Sequence, residues 1–229
     1  MKAMILAAGL GKRMRPLTDH CPKPLLPVGG KPLIVHHLER LAGAGFQEVV
    51  INVSYRGEQI RDALGNGQAY GLQIFWSQEA SPLETGGGIR QALPSLGEAP
   101  FLLINGDVWC DLDLTRFPSL DGDLAHLWLV DNPAHHPRGD FHLDAQGRVS
   151  DQGEPCLTYS GIGVIDPVLV ARHAPGAFPL APLLRQAMID DRVGGTHYTG
   201  QWVDVGTPQR LANLDARLTK NPLHNQRGS

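Results

Sequence analysis

Short apolar runs separated by polar and glycine-containing segments dominate the first half of the chain. They cover residues 3–7, 48–53, 72–76 and 101–105. The apolar positions in these runs are continuous rather than alternating, which is typical of strands that are buried on both faces of a sheet. We therefore expect four buried strands.

Helical patterns fall between these runs. Pro32 suits the first position of a helix, and the apolar side chains after it repeat with a helical period until Gly43 and Gly45. Shorter helices are predicted over residues 58–64 and 87–93. Strands that alternate with helices pair in parallel through right-handed crossovers. The pattern predicts an α/β fold with a doubly wound, mostly parallel mixed sheet of the Rossmann-like type.

The second half of the chain is less regular. Strand-like runs cover residues 124–130, 158–165 and 201–205, and helical patterns cover 180–190 and 208–218. Neither an internal repeat nor a low-complexity linker separates the two halves, and 229 residues suit one large domain. We expect a single domain over residues 1–220, in which the second half adds an acceptor-binding layer to the same sheet, and a tail over residues 221–229.

Composition narrows the possible partners. The net charge of −3 gives no basic field for nucleic acid, so we expect no nucleic-acid partner. We also expect no membrane partner, because the sequence has no apolar stretch long enough to span a bilayer. The three cysteines form neither a paired framework nor a metal-type spacing, which favours a reducing cytoplasm.

Two glycines and two cations follow the first predicted strand. Gly9, Gly11, Lys12 and Arg13 lack the spacing of the Walker loop, and Met14 stands where the dinucleotide fingerprint needs its third glycine. Glycines allow close approach to a ligand, and clustered cations suit a polyphosphate. The sequence alone leaves two interpretations open, a phosphate site or a tight turn with solvated charges.

Two acidic residues occupy positions that suit a metal ion. Asp107 follows the fourth apolar run directly after a glycine, and Asp204 lies inside an apolar run. A buried carboxylate needs a hydrogen-bond partner or a metal, although Asp107 could also belong to an ordinary turn. Two carboxylates without histidine or cysteine favour Mg²⁺. The adjacent histidine pairs lack the spacing of a zinc site.

Several motifs resemble those of the sugar-1-phosphate nucleotidylyltransferases. The segments "ILAAGLGKRMRPLT" and "CPKPLLPVGGKPLI" resemble the signature of that family, and "PLETGGGI", "NGD", "YSGIGVI" and "WVDVGTP" follow in the matching order. The resemblance spans residues 1–218 and implies a glycosyltransferase-A-like fold. It divides the domain into a nucleotide-binding half, about residues 1–110, and a sugar-phosphate-binding half, about residues 111–220.

The resemblance also implies roles for particular residues. The catalytic set would be Arg13, Lys23, Asp107 and Asp204, of which Asp107 and Asp204 bind Mg²⁺. The nucleotide would be bound by Gly9, Gly11, Lys12, Arg13, Lys23, Thr85, Gly86, Asn105 and Gly106. The chain departs from the family pattern because residues 139–161 contain no lysine. The residues that remain to meet the sugar phosphate are Gly139, Asp140, Glu154 and Ser160.

Within this family, the segments "SPLETGGGI", "NGDVWCDLDL" and "PRGDFHL" most resemble those of the N-acetylmuramate 1-phosphate uridylyltransferases of cell-wall recycling. The substrates implied are UTP and N-acetylmuramate 1-phosphate, whose lactyl carboxylate Arg138, His135 or His136 could meet. Mannose-1-phosphate guanylyltransferase is the nearest alternative, and a non-catalytic nucleotide-binding regulator is an alternative of another class. We expect a monomer or a small homo-oligomer.

Overall fold

A computed structural model describes residues 1–220. The predicted tail, residues 221–229, lies outside this range. Thirteen strands and six α-helices follow one another within residues 1–220. The strands are β1 Ala3–Leu6, β2 Pro27–Val28, β3 Lys31–Pro32, β4 Glu48–Val53, β5 Gln73–Gln78, β6 Phe101–Asn105, β7 Val108–Cys110, β8 Ala125–Val130, β9 Phe141–Leu143, β10 Val149–Ser150, β11 Cys156–Ile165, β12 Val193–His197 and β13 Trp202–Asp204. The helices are α1 Leu33–Gly43, α2 Gly57–Leu64, α3 Glu84–Leu96, α4 Val168–Ala171, α5 Ala181–Ile189 and α6 Pro208–Lys220.

One nine-stranded sheet forms the centre of the molecule. Its main path runs β10-β9-β11-β6-β1-β4-β5, with β8 paired to β11 and β12 paired to β8. The neighbouring strands β6, β1, β4 and β5 pair in parallel, whereas β11 joins β6 in antiparallel orientation. The α/β class and the mixed, mostly parallel sheet predicted from the sequence are confirmed.

Helices cover both faces of this sheet. Ala3 and Ile5 of β1 pack in a core with Leu38 of α1 and Ile60 of α2. Met4, the residue between them, packs in a separate core with helices α3 and α5. Because successive side chains of a strand point to opposite faces, the continuous apolar run of β1 fills both cores. This burial fixes the sheet in place, so its strand ends can support a site.

A small antiparallel ribbon stands apart from the main sheet. It pairs β7 with β13, and Asp204 lies opposite Val108 in its register. The sequence predicts β13 but not its short partner β7, which follows β6 after a two-residue turn. Helix α6 packs behind the ribbon in a third core with Trp109 and Val205. The ribbon therefore brings two acidic residues that are distant in sequence to one place.

Within residues 1–220, no helix has both the length and the apolar character that crossing a membrane requires.

Candidate functional site

A cavity of about 510 Å³ opens where β1, β4 and β6 end. Ligands of parallel α/β sheets bind beyond the carboxyl ends of their strands, and this cavity occupies that position. Its wall contains nearly all the residues predicted to bind a nucleotide. They are Gly9, Gly11, Lys12, Arg13, Lys23, Thr85, Asn105 and Gly106. Asp107, which is predicted to bind Mg²⁺, lies in the same wall. We call this space the first cavity.

The loop after β1 turns at Gly11, in a backbone conformation that favours glycine. Gly11 has φ +62°, and a Cβ atom there would lie 2.9 Å from Cγ2 of Thr18. The Thr18 hydroxyl donates a hydrogen bond to the carbonyl oxygen of Gly11 at 2.9 Å, which closes the loop. Lys12 and Arg13 begin a short 3₁₀ turn and are exposed. The loop therefore presents two cations at the mouth of the first cavity.

Gly106 allows β1 and β6 to end side by side. Its backbone N–H donates to the carbonyl oxygen of Leu6 at 3.0 Å, and a Cβ atom would lie only 2.5 Å from that oxygen. No larger residue fits this approach without moving the backbone. The close contact places Asp107, the next residue, beside the loop after β1.

Lys23 and Asp107 form an ion pair at the junction. The Lys23 Nζ atom lies 2.6 Å from Oδ2 of Asp107, and the lysine side chain is only 13% exposed. Near this pair, His37 of α1 is buried, and desolvation lowers its pKa to about 3. His37 is therefore neutral near pH 7, and Lys23 supplies the positive charge that faces Asp107.

A second cavity of about 360 Å³ adjoins the first. Arg13, Asn105 and Asp107 lie in the walls of both cavities. Asp204, Ser160 and Trp202 lie in the wall of the second cavity. Two ligands, one in each cavity, would therefore meet at these three shared residues.

Asp204 lies close to Asp107 along the backbone of the ribbon. The N–H of Val205 donates to the carbonyl oxygen of Asp107 at 2.8 Å. Oδ2 of Asp204 accepts a hydrogen bond from Arg210 Nη1 at 2.8 Å and lies 3.2 Å from Nε2 of His135. Its other oxygen, Oδ1, is buried and has no hydrogen-bond partner among residues 1–220.

This environment fits a divalent cation that Asp107 and Asp204 would share. A buried carboxylate oxygen without a partner is unfavourable, and a cation would satisfy it. Across residues 1–220 there is no group of three or more His, Cys, Asp or Glu side chains that could hold a metal ion. Mg²⁺ needs only one or two protein carboxylates when phosphate oxygens and water complete its coordination.

The residues predicted to bind the sugar phosphate do not all line a cavity. Ser160 is buried at the second cavity, and its carbonyl oxygen accepts a hydrogen bond from the Trp202 indole N–H at 2.9 Å. Asp140 accepts from the backbone N–H of Tyr159 at 2.8 Å and lies 3.0 Å from Nε2 of His136. Asp140 therefore supports two residues of the cavity wall without belonging to it.

Gly139, Glu154 and Gly86 lie outside both cavity walls. Gly139 has φ +67°, and a Cβ atom there would lie 2.7 Å from Asn132 Oδ1. Glu154 is exposed on a loop. Gly86 is buried in α3, where a Cβ atom would lie 2.5 Å from the Phe178 ring. The geometry gives Gly139 and Gly86 a packing role.

Several residues of the cavity walls were not predicted from the sequence. Asn52 and Glu79 lie in the wall of the first cavity, and Tyr159 and Trp202 lie in the wall of the second. Burial raises the pKa of the Tyr159 hydroxyl, which is therefore protonated at neutral pH. Asn52 is a polar residue near the end of an apolar strand, which is a usable signal for a site. Glu79 follows β5 without a motif of its own.

Comparisons with known proteins agree with this geometry. A protein of Neisseria meningitidis serogroup B named N-acetylmuramate alpha-1-phosphate uridylyltransferase is 53% identical over 225 residues, which cover 94% of this chain and 97% of the relative. A protein of the same name from Caulobacter vibrioides is 37% identical over 234 residues, covering 95% and 97%.

A solved structure shows the same fold. It is a Bacillus anthracis protein in complex with a sucrose, and it superposes with a TM-score of 0.81 at 22% identity over 96% of this chain and 95% of that chain. The profile of the family described as Nucleotidyl transferase matches residues 2–126, which is more than half of the chain. The family expected from the sequence motifs is confirmed: this chain belongs to the nucleotidyl transferase family.

Proposed function

We propose that this protein transfers the uridylyl group of UTP to N-acetylmuramate 1-phosphate and releases pyrophosphate. The observation that carries the proposal is the pair of adjoining cavities that share Arg13, Asn105 and Asp107. A transfer between two phosphorylated substrates needs such a junction. The choice of UTP and N-acetylmuramate 1-phosphate is supported by the names of the two relatives that match the chain over nearly its whole length.

In this proposal the triphosphate occupies the first cavity and the sugar phosphate occupies the second. A phosphate oxygen of the sugar phosphate attacks the α-phosphorus of UTP. A new phosphorus–oxygen bond forms, and the bond to the β-phosphate oxygen breaks. The attacking oxygen is already ionised at neutral pH, so the protein needs no nucleophile of its own. Catalysis then depends on holding two anions in line and balancing their charge.

Arg13 and Lys23 are the cations best placed for this task. Arg13 lies in both cavity walls, so its guanidinium can contact phosphate oxygens of either substrate. Lys23 lies in the wall of the first cavity and already pairs with Asp107. The loop with Gly9, Gly11 and Lys12 would bind the outer phosphates.

Asp107 and Asp204 would hold a Mg²⁺ ion at the junction. The ion would supply positive charge to phosphate oxygens as negative charge develops. The free Oδ1 oxygen of Asp204 is the observation that supports this assignment. Arg210, which pairs with the other oxygen, would keep the carboxylate turned toward the junction.

On the acceptor side, Ser160 and Asp140 would shape the sugar subsite, Ser160 directly and Asp140 through Tyr159 and His136. A product that carries uridine diphosphate on N-acetylmuramate suits cell-wall recycling. We place this reaction in the cytoplasm. The free thiols of Cys21, Cys110 and Cys156 fit a reducing compartment.

The test is a matrix of substrates with purified protein and Mg²⁺. UTP, GTP, dTTP, ATP and CTP are each combined with N-acetylmuramate 1-phosphate, N-acetylglucosamine 1-phosphate, glucose 1-phosphate and mannose 1-phosphate, and pyrophosphate is followed. UTP with N-acetylmuramate 1-phosphate should give the highest kcat/KM. A preference for GTP with mannose 1-phosphate would overturn the choice of substrates. Binding of a triphosphate without any release of pyrophosphate would instead indicate a non-catalytic regulator.

A further inference from the structure

Two buried polar side chains of the first cavity connect the loop after β1 to the start of α3. Oδ1 of Asn52, on β4, accepts a hydrogen bond from the backbone N–H of Ala7 at 2.8 Å. Nδ2 of Asn52 donates to Oε1 of Glu79 at 2.7 Å. Oε2 of Glu79 accepts from the backbone N–H of Leu83 at 2.9 Å. We call this chain of three hydrogen bonds the Asn52–Glu79 relay.

The relay ends on the two segments that a nucleotide would contact. Ala7 begins the glycine loop after β1, and Leu83 immediately precedes α3. Pro82, Glu84 and Thr85, around Leu83, lie in the cavity wall. Two side chains therefore join the phosphate loop to this part of the wall.

Burial makes the hydrogen bonds of the relay costly to break. Asn52 is 3% exposed and Glu79 is 2% exposed. Glu79 pairs with none of the Lys, Arg and His side chains among residues 1–220, so its two hydrogen bonds offset the cost of burying the carboxylate. Leu83 N–H is one of the donors that would otherwise be unsatisfied at the start of α3, since no other side chain of the described residues caps that helix.

Gly88 of α3 leaves the space that the relay needs. A Cβ atom at this position would lie 2.7 Å from Oε1 of Glu79 and 2.8 Å from Nδ2 of Asn52. Both atoms belong to the central hydrogen bond of the relay. The helix thus approaches the relay closely, and any added atom would push its two members apart.

We propose that Asn52 and Glu79 are positioning residues that set the width of the first cavity and hence its affinity for a nucleoside triphosphate. The inference rests on the proposed function, because it takes the first cavity to be the nucleotide site. It assigns no contact between substrate and either side chain. Their effect acts through Ala7 and Leu83, whose backbone they hold.

Exchanging the two side-chain chemistries tests the relay directly. In Glu79→Gln one amide N–H₂ faces another N–H, which breaks a bond. In Asn52→Asp two carboxyl groups face each other, and the central hydrogen bond can form only at the cost of protonating one of them, so each single variant weakens the relay. In the double variant, the carboxylate introduced on β4 can accept from Ala7 and from the amide introduced after β5, and the oxygen of that amide accepts from Leu83. All three hydrogen bonds are then restored with the central one reversed in direction.

The measurement is the Kd for UTP by calorimetry with Mg²⁺ and without sugar phosphate, beside the KM for the sugar phosphate. Each single variant should raise the Kd about tenfold, because a buried hydrogen bond to a charged group is lost or weakened. The double variant should return within about threefold of the wild-type value, and the KM for the sugar phosphate should stay unchanged. Ser77→Ala, which removes a buried hydroxyl on β5 outside both cavities, should leave the Kd for UTP unchanged.

If the double variant does not fold, Gly88→Ala tests the proposal instead, because it leaves the side chains of Asn52 and Glu79 in place. Its methyl group should raise the Kd for UTP as the single variants do. Lower thermal stability with an unaltered Kd in Gly88→Ala and Glu79→Gln would overturn the proposal, as would a folded double variant that binds no better than the single ones. A wild-type protein that binds GTP in place of UTP would overturn the proposed substrate alone, whereas one that binds no triphosphate would overturn both.

Discussion

Arg13 and Lys12 are neighbours in sequence but differ in what they can contact. Both are exposed, yet Arg13 lies in the walls of both cavities, whereas Lys12 lies only in that of the first. A guanidinium can bind two oxygens at once, while an ammonium acts as a point charge. Arg13 is therefore the better candidate for bringing the two substrates together.

Arg13→Gln should raise the KM for both substrates and lower kcat by about 100-fold, the scale seen when one donor is removed from a preorganised electrostatic site. Lys12→Gln is the matched control and should raise the KM for UTP alone. Initial rates with each substrate varied in turn give the four constants. Equal effects of the two variants on the sugar phosphate would contradict a role for Arg13 at the junction.

Asp204 offers a second prediction at the level of one residue. Asp204→Asn keeps an oxygen for Arg210 but removes the charge that a cation needs, so kcat should fall about 100-fold or more. Mn²⁺ binding measured by electron paramagnetic resonance should weaken as well. Asp215→Asn, on α6 outside both cavities, serves as the control and should retain turnover. Normal Mn²⁺ affinity in Asp204→Asn would remove this residue from the metal site.

At the level of elements, the site depends on how closely β1 and β6 approach each other. Leu6 lies opposite Asn105 in the parallel register, and Gly106 closes the gap between the two strand ends. Helix α1 lies beneath this point and supplies His37 to the same region. The strand ends therefore position Asp107, and Lys23 pairs with its carboxylate.

Gly106→Ala should destabilise the protein by about 1–3 kcal/mol, because the added methyl group must push the backbone of β1 away. Turnover should fall with it, since Asp107 moves. Gly9→Ala is the control for stability. Apart from Gly9 and its chain neighbours, no atom of residues 1–220 lies within 4 Å of the position of its Cβ, so the free energy of unfolding should change little. Urea unfolding of both variants provides the comparison. Equal stability of the two would show that the β1–β6 contact can relax.

His37 predicts a loss of stability in acid. Its pKa in the folded protein is about 3, well below the ordinary value of 6.5, because burial disfavours the charged form. The unfolded chain therefore binds a proton as the pH falls below 6.5, while the folded protein does not, and the free energy of unfolding decreases. Between pH 7 and pH 5 this residue should account for about 2 kcal/mol.

Urea unfolding of wild type and His37→Gln at several pH values measures that contribution. The variant should lose less stability between pH 7 and pH 5 than the wild type. Burial also lowers the pKa of His36 and His126, so part of the acid sensitivity should remain. Parallel curves for the two proteins would mean that His37 takes up a proton while folded.

The sequence predicts the elements that carry continuous apolar patterns and misses those that do not. Strand β12 contains Gly194 and Gly195 between short apolar positions, so it has no strand signal of its own. Helix α3 begins at Glu84, three residues before the predicted start. The prediction starts too late because glycines, which occupy positions 86–88, are poor helix formers. They are present because neighbours leave no room for side chains.

In the candidate site, too, the sequence predicts some features and misses others. The glycine loop and the two aspartates stand out because their residue types are unusual at the ends of apolar strands. The meeting of Asp107 with Asp204 needs the β7–β13 ribbon, and the Asn52–Glu79 relay needs a contact between two strands and a helix start. Neither is visible as a local pattern, since each depends on tertiary packing.

Across the whole molecule, one sheet connects the two halves predicted from the sequence. Strand β6 of the first half pairs with β1 on one side and with β11 of the second half on the other. The junction of the cavities lies directly above this pairing. A single folding unit would keep both substrates in register, whereas two independent units would let the junction open.

Arg148 provides a test of whether the two halves unfold together. Its guanidinium binds both carboxylate oxygens of Asp123, at 2.7 and 3.0 Å, and lies 2.9 Å from Asp191, all in the second half and outside both cavities. Arg148→Lys cannot reproduce the paired contact, and because the group is partly solvated the free energy of unfolding should fall by about 1 kcal/mol.

In scanning calorimetry the variant should lower the temperature of one cooperative transition, and UTP bound in the other half should raise the temperature of that same transition. The calorimetric and van't Hoff enthalpies should agree, since the sheet leaves no half to unfold alone. Two transitions, of which Arg148→Lys shifts one and UTP the other, would show that the halves fold separately.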